Sequence, residues 1–141
     1  MKFIDLGLSV KWADMNMGAK KPEDGGNHYN SDEAKTLAVR VPTINELKEL
    51  QEKCEWTWDA RRKGYDVKGP NGNHIFLPTA GHRLGAKVYQ AGFFGFYWSS
   101  SPDTRHPGYA LGVRIDSGGV FRGFSPRYAR LSVRTVVKLP L

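Results

Sequence analysis

The chain has 141 residues and a net charge of +7, with 16 Gly and 8 Pro. That length fits one domain, and the glycine and proline content favours short strands and turns over a helical bundle. The single cysteine, Cys54, excludes an internal disulfide and a cysteine metal cluster, and no stretch approaches the ~20 apolar residues of a membrane-spanning helix.

Phe3 to Trp12 (FIDLGLSVKW) is β-rich and interrupted by Gly7, which predicts one strand or two half-strands. Met1 to Val10 lacks the long apolar run of a secretion signal and contains Asp5. Gly18 to Ser31 is polar and turn-rich, a surface loop. Ser31 to Ala38 has room for one or two helical turns, with Ser31 as N-cap. The strongest helical signal covers residues 43–54. Thr43 and Glu46 form a capping box, and Ile44, Leu47, Leu50 and Cys54 share one face.

Beyond Trp58, Tyr65 to Lys68 alternates like a strand and His74 to Pro78 reads as a short buried one. Asn71-Gly72 suits the tight turn between them. Gly81 to Ala91 reads as irregular, and Phe93 to Ser100 is dense in aromatics. Tyr109–Asp116, Val120–Phe124 and Leu131–Val137 are the last predicted strands, with Ser117-Gly118-Gly119 as a hairpin turn. The order predicts a single α+β domain over 1–141, built of short antiparallel strands, one clear helix and a short second one.

Catalytic motifs are weak. Cys54 lies on the inner face of a predicted helix, where a thiol acts as a small apolar side chain. His28, His74, His82 and His106 are dispersed, without HExxH or paired ligand spacing. The segment GPNGN lacks the alternating acids of a calcium loop, and no GxGxxG or Walker sequence occurs. Ser99-Ser100-Ser101 has no base nearby in sequence. The expectation is a binding domain without catalysis, metal or cofactor. The positive charge keeps nucleic acid as a disfavoured alternative, since the basic residues are scattered rather than clustered.

The C-terminal third has a skewed composition. Residues 1–98 contain ten Lys, six Glu, two Gln, three Met and four Trp, and residues 99–137 contain none of these. About ten would be expected at the upstream rate, and the strand bias against Glu and Lys accounts for only part of the deficit. These are the residue types that codons ending in a pyrimidine cannot encode. Asn, the unmutated product of an AAC codon, is also missing there, while six occur upstream. Randomising the first two bases of such codons produces this absence. In Ala110 to Asp116, Leu111, Val113 and Ile115 alternate with Gly112, Arg114 and Asp116, so the latter three are expected to face solvent. Tyr, Phe and Arg in 119–130 are favoured contact residues at binding surfaces. An ordinary antiparallel sheet with aromatic cross-strand pairs gives the same pattern.

The blocks FIDLGLSVKWADMNMGAKKPEDGG, GPNGNHIFLPTAGHR, GFYWSSSP and LSVRTV resemble the Fibrobacter succinogenes major paralogous domain, common in Bacteroidetes. VRVPTINELKEL resembles the helix start of formylglycine-generating-enzyme-type domains. The resemblance implies a C-type-lectin-like fold. With the skewed tail, the chain resembles the variable protein of a diversity-generating retroelement, with a scaffold over 1–98 and a variable region over 99–134. That resemblance implies variable ligand-binding positions at Asp103, Thr104, Arg105, His106, Tyr109, Gly112, Arg114, Asp116, Gly119, Phe121, Arg122, Gly123, Ser125, Tyr128 and Ala129. Arg127 and Arg134 fall at positions that look structural. Arg130 departs from the family's Gly before the S-V-R block, and the lone Cys54 carries over no sulfatase-modifying activity. The implied partner is a protein or glycan on another cell or a phage host, met by a monomer displayed at a cell surface or on a virion. A non-diversified surface domain of the same family is the alternative.

Overall fold

Two capping boxes fix the helices. A computed structural model describes residues 1–139. In chain order its elements are β1 (Phe3–Ile4), β2 (Val10–Ala13), α1 (Ser31–Thr36), α2 (Ile44–Lys53), β3 (Glu55–Asp59), β4 (Gly64–Lys68) and β5 (His74–Pro78). They continue with β6 (His82–Leu84), β7 (Lys87–Tyr89), β8 (Gly95–Pro102), β9 (Tyr109–Asp116), β10 (Gly119–Pro126) and β11 (Val136–Lys138). At α2 the Thr43 Oγ1 accepts from the Glu46 N–H at 3.1 Å, and the Glu46 carboxylate accepts from the Thr43 N–H at 2.9 Å. At α1 the cap is Asn30, one residue before the expected Ser31. Its Oδ1 and the Glu33 carboxylate exchange the same pair of bonds, both at 2.8 Å. The Asn-x-x-Glu spacing wins because Glu33 stands at the third helical position only when the cap is Asn30.

The strands form three antiparallel sheets of order β1-β2-β11, β3-β4-β5 and β8-β9-β10, plus the β6-β7 hairpin. The expected α+β organisation with short strands is therefore observed, with two helices. Phe3 to Trp12 is split into two half-strands around Gly7, which has φ +84°. Several elements differ from expectation. Glu55–Asp59 pairs with β4 as a strand, and the stretch read as irregular contains β6 and β7. The predicted strand Leu131–Val137 shrinks to β11, while Leu131 and Ser132 make single bridges to Tyr29 and Tyr97.

The main core joins Leu6, Trp12, Leu47, Leu50, Tyr65, Val67, Tyr97, Val113 and Ile115. A second cluster of Ala34, Val41, Trp98, Ala110, Leu131 and Val133 lies on the other side of the β8-β9-β10 sheet. Arg134 is fully buried between β2 and β5. It donates to the Asn16 Oδ1 at 2.9 Å, the Ala13 carbonyl at 3.0 Å and the Phe76 carbonyl at 2.6 Å. Asn16 in turn donates to the Tyr97 hydroxyl at 3.1 Å, which donates to the Pro78 carbonyl at 2.7 Å. Burial pushes the Tyr97 phenol up to about 12, so it stays a neutral donor. This chain of bonds holds the returning segment 131–136, whose Ser132 pairs with the free edge of β8.

Candidate ligand-binding surface

Strand register sorts the predicted positions onto two faces. Phe121 lies opposite Arg114, Gly123 opposite Gly112, and Ser125 opposite Ala110. Phe96 and Trp98 of β8 oppose Arg114 and Gly112 from the other side. Side chains alternate along a strand, so Gly112, Arg114, Asp116, Gly119, Phe121, Gly123 and Ser125 share one face. That face holds a groove of about 270 Å³ bordered by Phe96, Gly112, Arg114, Phe121, Gly123 and Leu131.

An Arg114 guanidinium between rings dominates the groove wall. Its Cζ lies 4.8 Å from the centre of the Phe121 ring and 5.8 Å from that of Phe94. The Asp116 carboxylate stands 3.6 Å from the Arg114 Nε, beyond a good hydrogen bond, so most of its donors remain available. The rings continue into the β6-β7 hairpin. Phe94 stacks on Phe96 at 6.2 Å, Phe96 meets His82 edge-on at 5.8 Å, and His82 stacks on Tyr89 at 5.9 Å. Phe94, Phe96, His82, Tyr89 and Leu131 are thus neighbours of the predicted positions that the tail composition did not mark. For Phe94 and Phe96 the signal in the sequence was the aromatic run FFGFYW, which also suits simple packing; His82, Tyr89 and Leu131 carried none.

The glycines differ sharply. A Cβ on Gly123 would meet nothing within 4 Å. A Cβ on Gly112 would lie 2.3 Å from the Tyr97 backbone oxygen, so Gly112 is not a solvent-facing position open to variation. The second core cluster covers this face at mid-strand, where the sequence pattern suggested solvent. Gly119 is also constrained, because its φ of +145° strains any L side chain. Asp116 has a structural task as well: its Oδ1 accepts from the Gly118 N–H at 2.7 Å and closes the turn.

Tyr109 and Arg122 lie on the opposite face of the hairpin. Tyr109, His106 and Phe124 form a small aromatic cluster there, with His106 stacked on Phe124 at 6.0 Å and Tyr109 edge-on to Phe124 at 5.2 Å. Asp103 shapes the neighbouring loop, accepting from the Arg105 N–H at 3.0 Å and standing 3.3 Å from the His106 Nδ1. The Arg105 N–H and His106 hold its carboxyl below the usual aspartate range. Thr104 and Arg105 are exposed. Tyr128 and Ala129 sit in the turn after β10; Tyr128 is 79% exposed, while Ala129 packs against the second core cluster. Arg127 ties that turn down through its backbone, donating to Gly108 at 3.0 Å and accepting from Ser31 at 2.9 Å. The predicted positions therefore form a groove face, an opposite aromatic face and one exposed turn, all on or beside the β9-β10 hairpin.

Other reactive groups are dispersed. His28 contacts the Ala80 carbonyl at 2.8 Å, and His74 contacts the Asp66 carboxylate at 2.8 Å. Burial, with Glu49 nearby, pushes the Cys54 thiol up to about 11, opposite to an activated nucleophile. No helix among the described residues is long and apolar enough to cross a membrane. No family model, curated protein or solved structure matches the chain.

Proposed function

We propose that the chain is a ligand-binding module with a C-type-lectin-like fold, whose β9-β10 hairpin carries a diversified contact surface. The observation that carries this reading is the coincidence of two independent features. The segment lacking Lys, Glu, Gln, Met and Trp, residues 99–137, contains this hairpin and its flanking turns, together with the end of β8 and the buried stretch 131–136. Its outward residues Arg105, Arg114, Phe121, Arg122 and Tyr128 can change without disturbing either core cluster. Phe121 and Tyr128 supply apolar contact, and the arginines set orientation. The partner is a protein or glycan on another cell or a phage host.

The strict demand for glycine at 112 and 119 favours, at those two positions, the second reading of a fixed surface. Sequencing this gene from related genomes separates the two. Diversification concentrates substitutions at the codons for 105, 114, 121, 122, 123 and 128, beside a near-copy of the tail that differs at adenines. Substitutions spread evenly along the chain, or a constant tail, contradict it.

A further inference from the structure

The β10 strand has an open edge, and its backbone polarity can be assigned. Trp98 donates its N–H to Ser132 at 3.1 Å, and Phe96 accepts from the Ser132 N–H at 2.9 Å, so both point away from β9. Successive residues alternate, which aims Gly112 and Arg114 at β10. Their partners Gly123 and Phe121 face inward, and Val120, Arg122 and Phe124 face outward. The Gln51 side chain donates to the Val120 carbonyl at 2.9 Å, in agreement with that polarity. Among the described residues, the N–H and C=O of Arg122 and Phe124 have no partner.

We propose that this edge takes an extended acidic peptide segment of the partner as an additional antiparallel strand. This deepens the binding reading above and rests on it. An added strand hydrogen-bonds to Arg122 and Phe124, and its alternate side chains fall on the two faces of the sheet. On one face lie the groove, Phe121 and the open space at Gly123. On the other lies Arg122, whose only acidic neighbour among the described residues, Glu52, stands 3.6 Å away. Charge selects the occupant. Four exposed arginines, Arg105, Arg114, Arg122 and Arg130, lie on or beside the hairpin against two Asp in residues 99–137, so an acidic segment is attracted. A second copy of a chain with net charge +7 is repelled, and Arg122 and Pro126 on the edge oppose self-pairing further.

The test uses the full ¹⁵N-labelled chain and a capped peptide of alternating glutamate and valine, matched in length to β10. Binding slows amide exchange at Arg122 and Phe124 by about tenfold or more, as expected for amides newly hydrogen-bonded in a strand. The same peptide with N-methylated backbone, or with lysine for glutamate, gives no protection. Arg122→Pro removes one outward N–H and no ladder bond, and abolishes peptide binding; Arg122→Ala only weakens it several-fold. Absence of binding, equal binding of the lysine or N-methylated peptide, or full binding to Arg122→Pro overturns the proposal. So does protection that rises with protein concentration alone, which indicates a second copy. Peptide shifts confined to the groove, without protection at 122 and 124, overturn strand addition and leave the binding surface in place.

Discussion

At the residue scale, glycine positions that look alike in sequence have opposite tolerances. Gly112 and Gly123 face each other across the hairpin, yet one lies against the Tyr97 backbone and the other is open. Gly112→Ala should destabilise the fold by about 1–3 kcal/mol or more, because backbone cannot move aside as a side chain tip can. Gly123→Ala should stay within about 0.5 kcal/mol. Urea midpoints of the two variants check this directly. Alternation in the sequence indicated which residues share a face, but not that both faces of β9 are covered at its middle. That cover comes from Trp98, Leu131 and Val133, all distant from Gly112 in sequence. His28 contributes a pH dependence on the acid side of neutrality. Burial, reinforced by the charges of Arg83 and His82, lowers its pKa and outweighs its bond to the Ala80 carbonyl. A depressed folded-state value means that the unfolded chain binds the proton more readily. The contribution of His28 is thus complete above the ordinary histidine value near 6.5 and declines as pH falls through the lower folded value. An NMR titration should place the His28 midpoint below that of the denatured chain.

At the scale of elements, the signals with a local cause were the legible ones. The Thr43-Glu46 capping box and the His74–Pro78 strand are set by neighbours in sequence, and both are observed; the hairpin expected at Asn71-Gly72 is present, but its turn closes from the Gly72 N–H to the Gly69 carbonyl, around Pro70-Asn71. Gly72 takes φ +89° in that turn. Two edge strands were not legible, for different reasons. Tyr89 and its neighbours in β7 are all exposed, so that strand is held by pairing with β6 rather than by burying a face. β3 alternates Trp56 and Trp58, which pack against the main core, with Glu55, Thr57 and Asp59, but it follows α2 directly with no turn signal between them. Caps give the matching prediction. Thr43→Ala and Asn30→Ala should each cost about 1 kcal/mol in thermal or urea unfolding, while Ser31→Ala should cost less than Asn30→Ala. A larger loss at Ser31 would place the α1 cap where the sequence first suggested.

Across the whole molecule, Arg134 connects β2, β5 and the returning segment beside β8 through three hydrogen bonds. Its place in the S-V-R block suggested a structural role, but its three partners lie 58 to 121 residues away, beyond any local pattern. Arg134→Met leaves two buried carbonyls and the Asn16 amide oxygen without their donor, and should cost about 3–5 kcal/mol in urea unfolding. This anchoring separates a rigid interior from the outer hairpin, and the binding reading depends on that separation. The direct test compares two libraries of the full chain by resistance to proteolysis. One randomises positions 105, 114, 121, 122, 123 and 128 together; the other randomises 110, 112, 113 and 115. Most members of the first library should stay folded and most of the second should not. Equal intolerance in both libraries would contradict the binding reading.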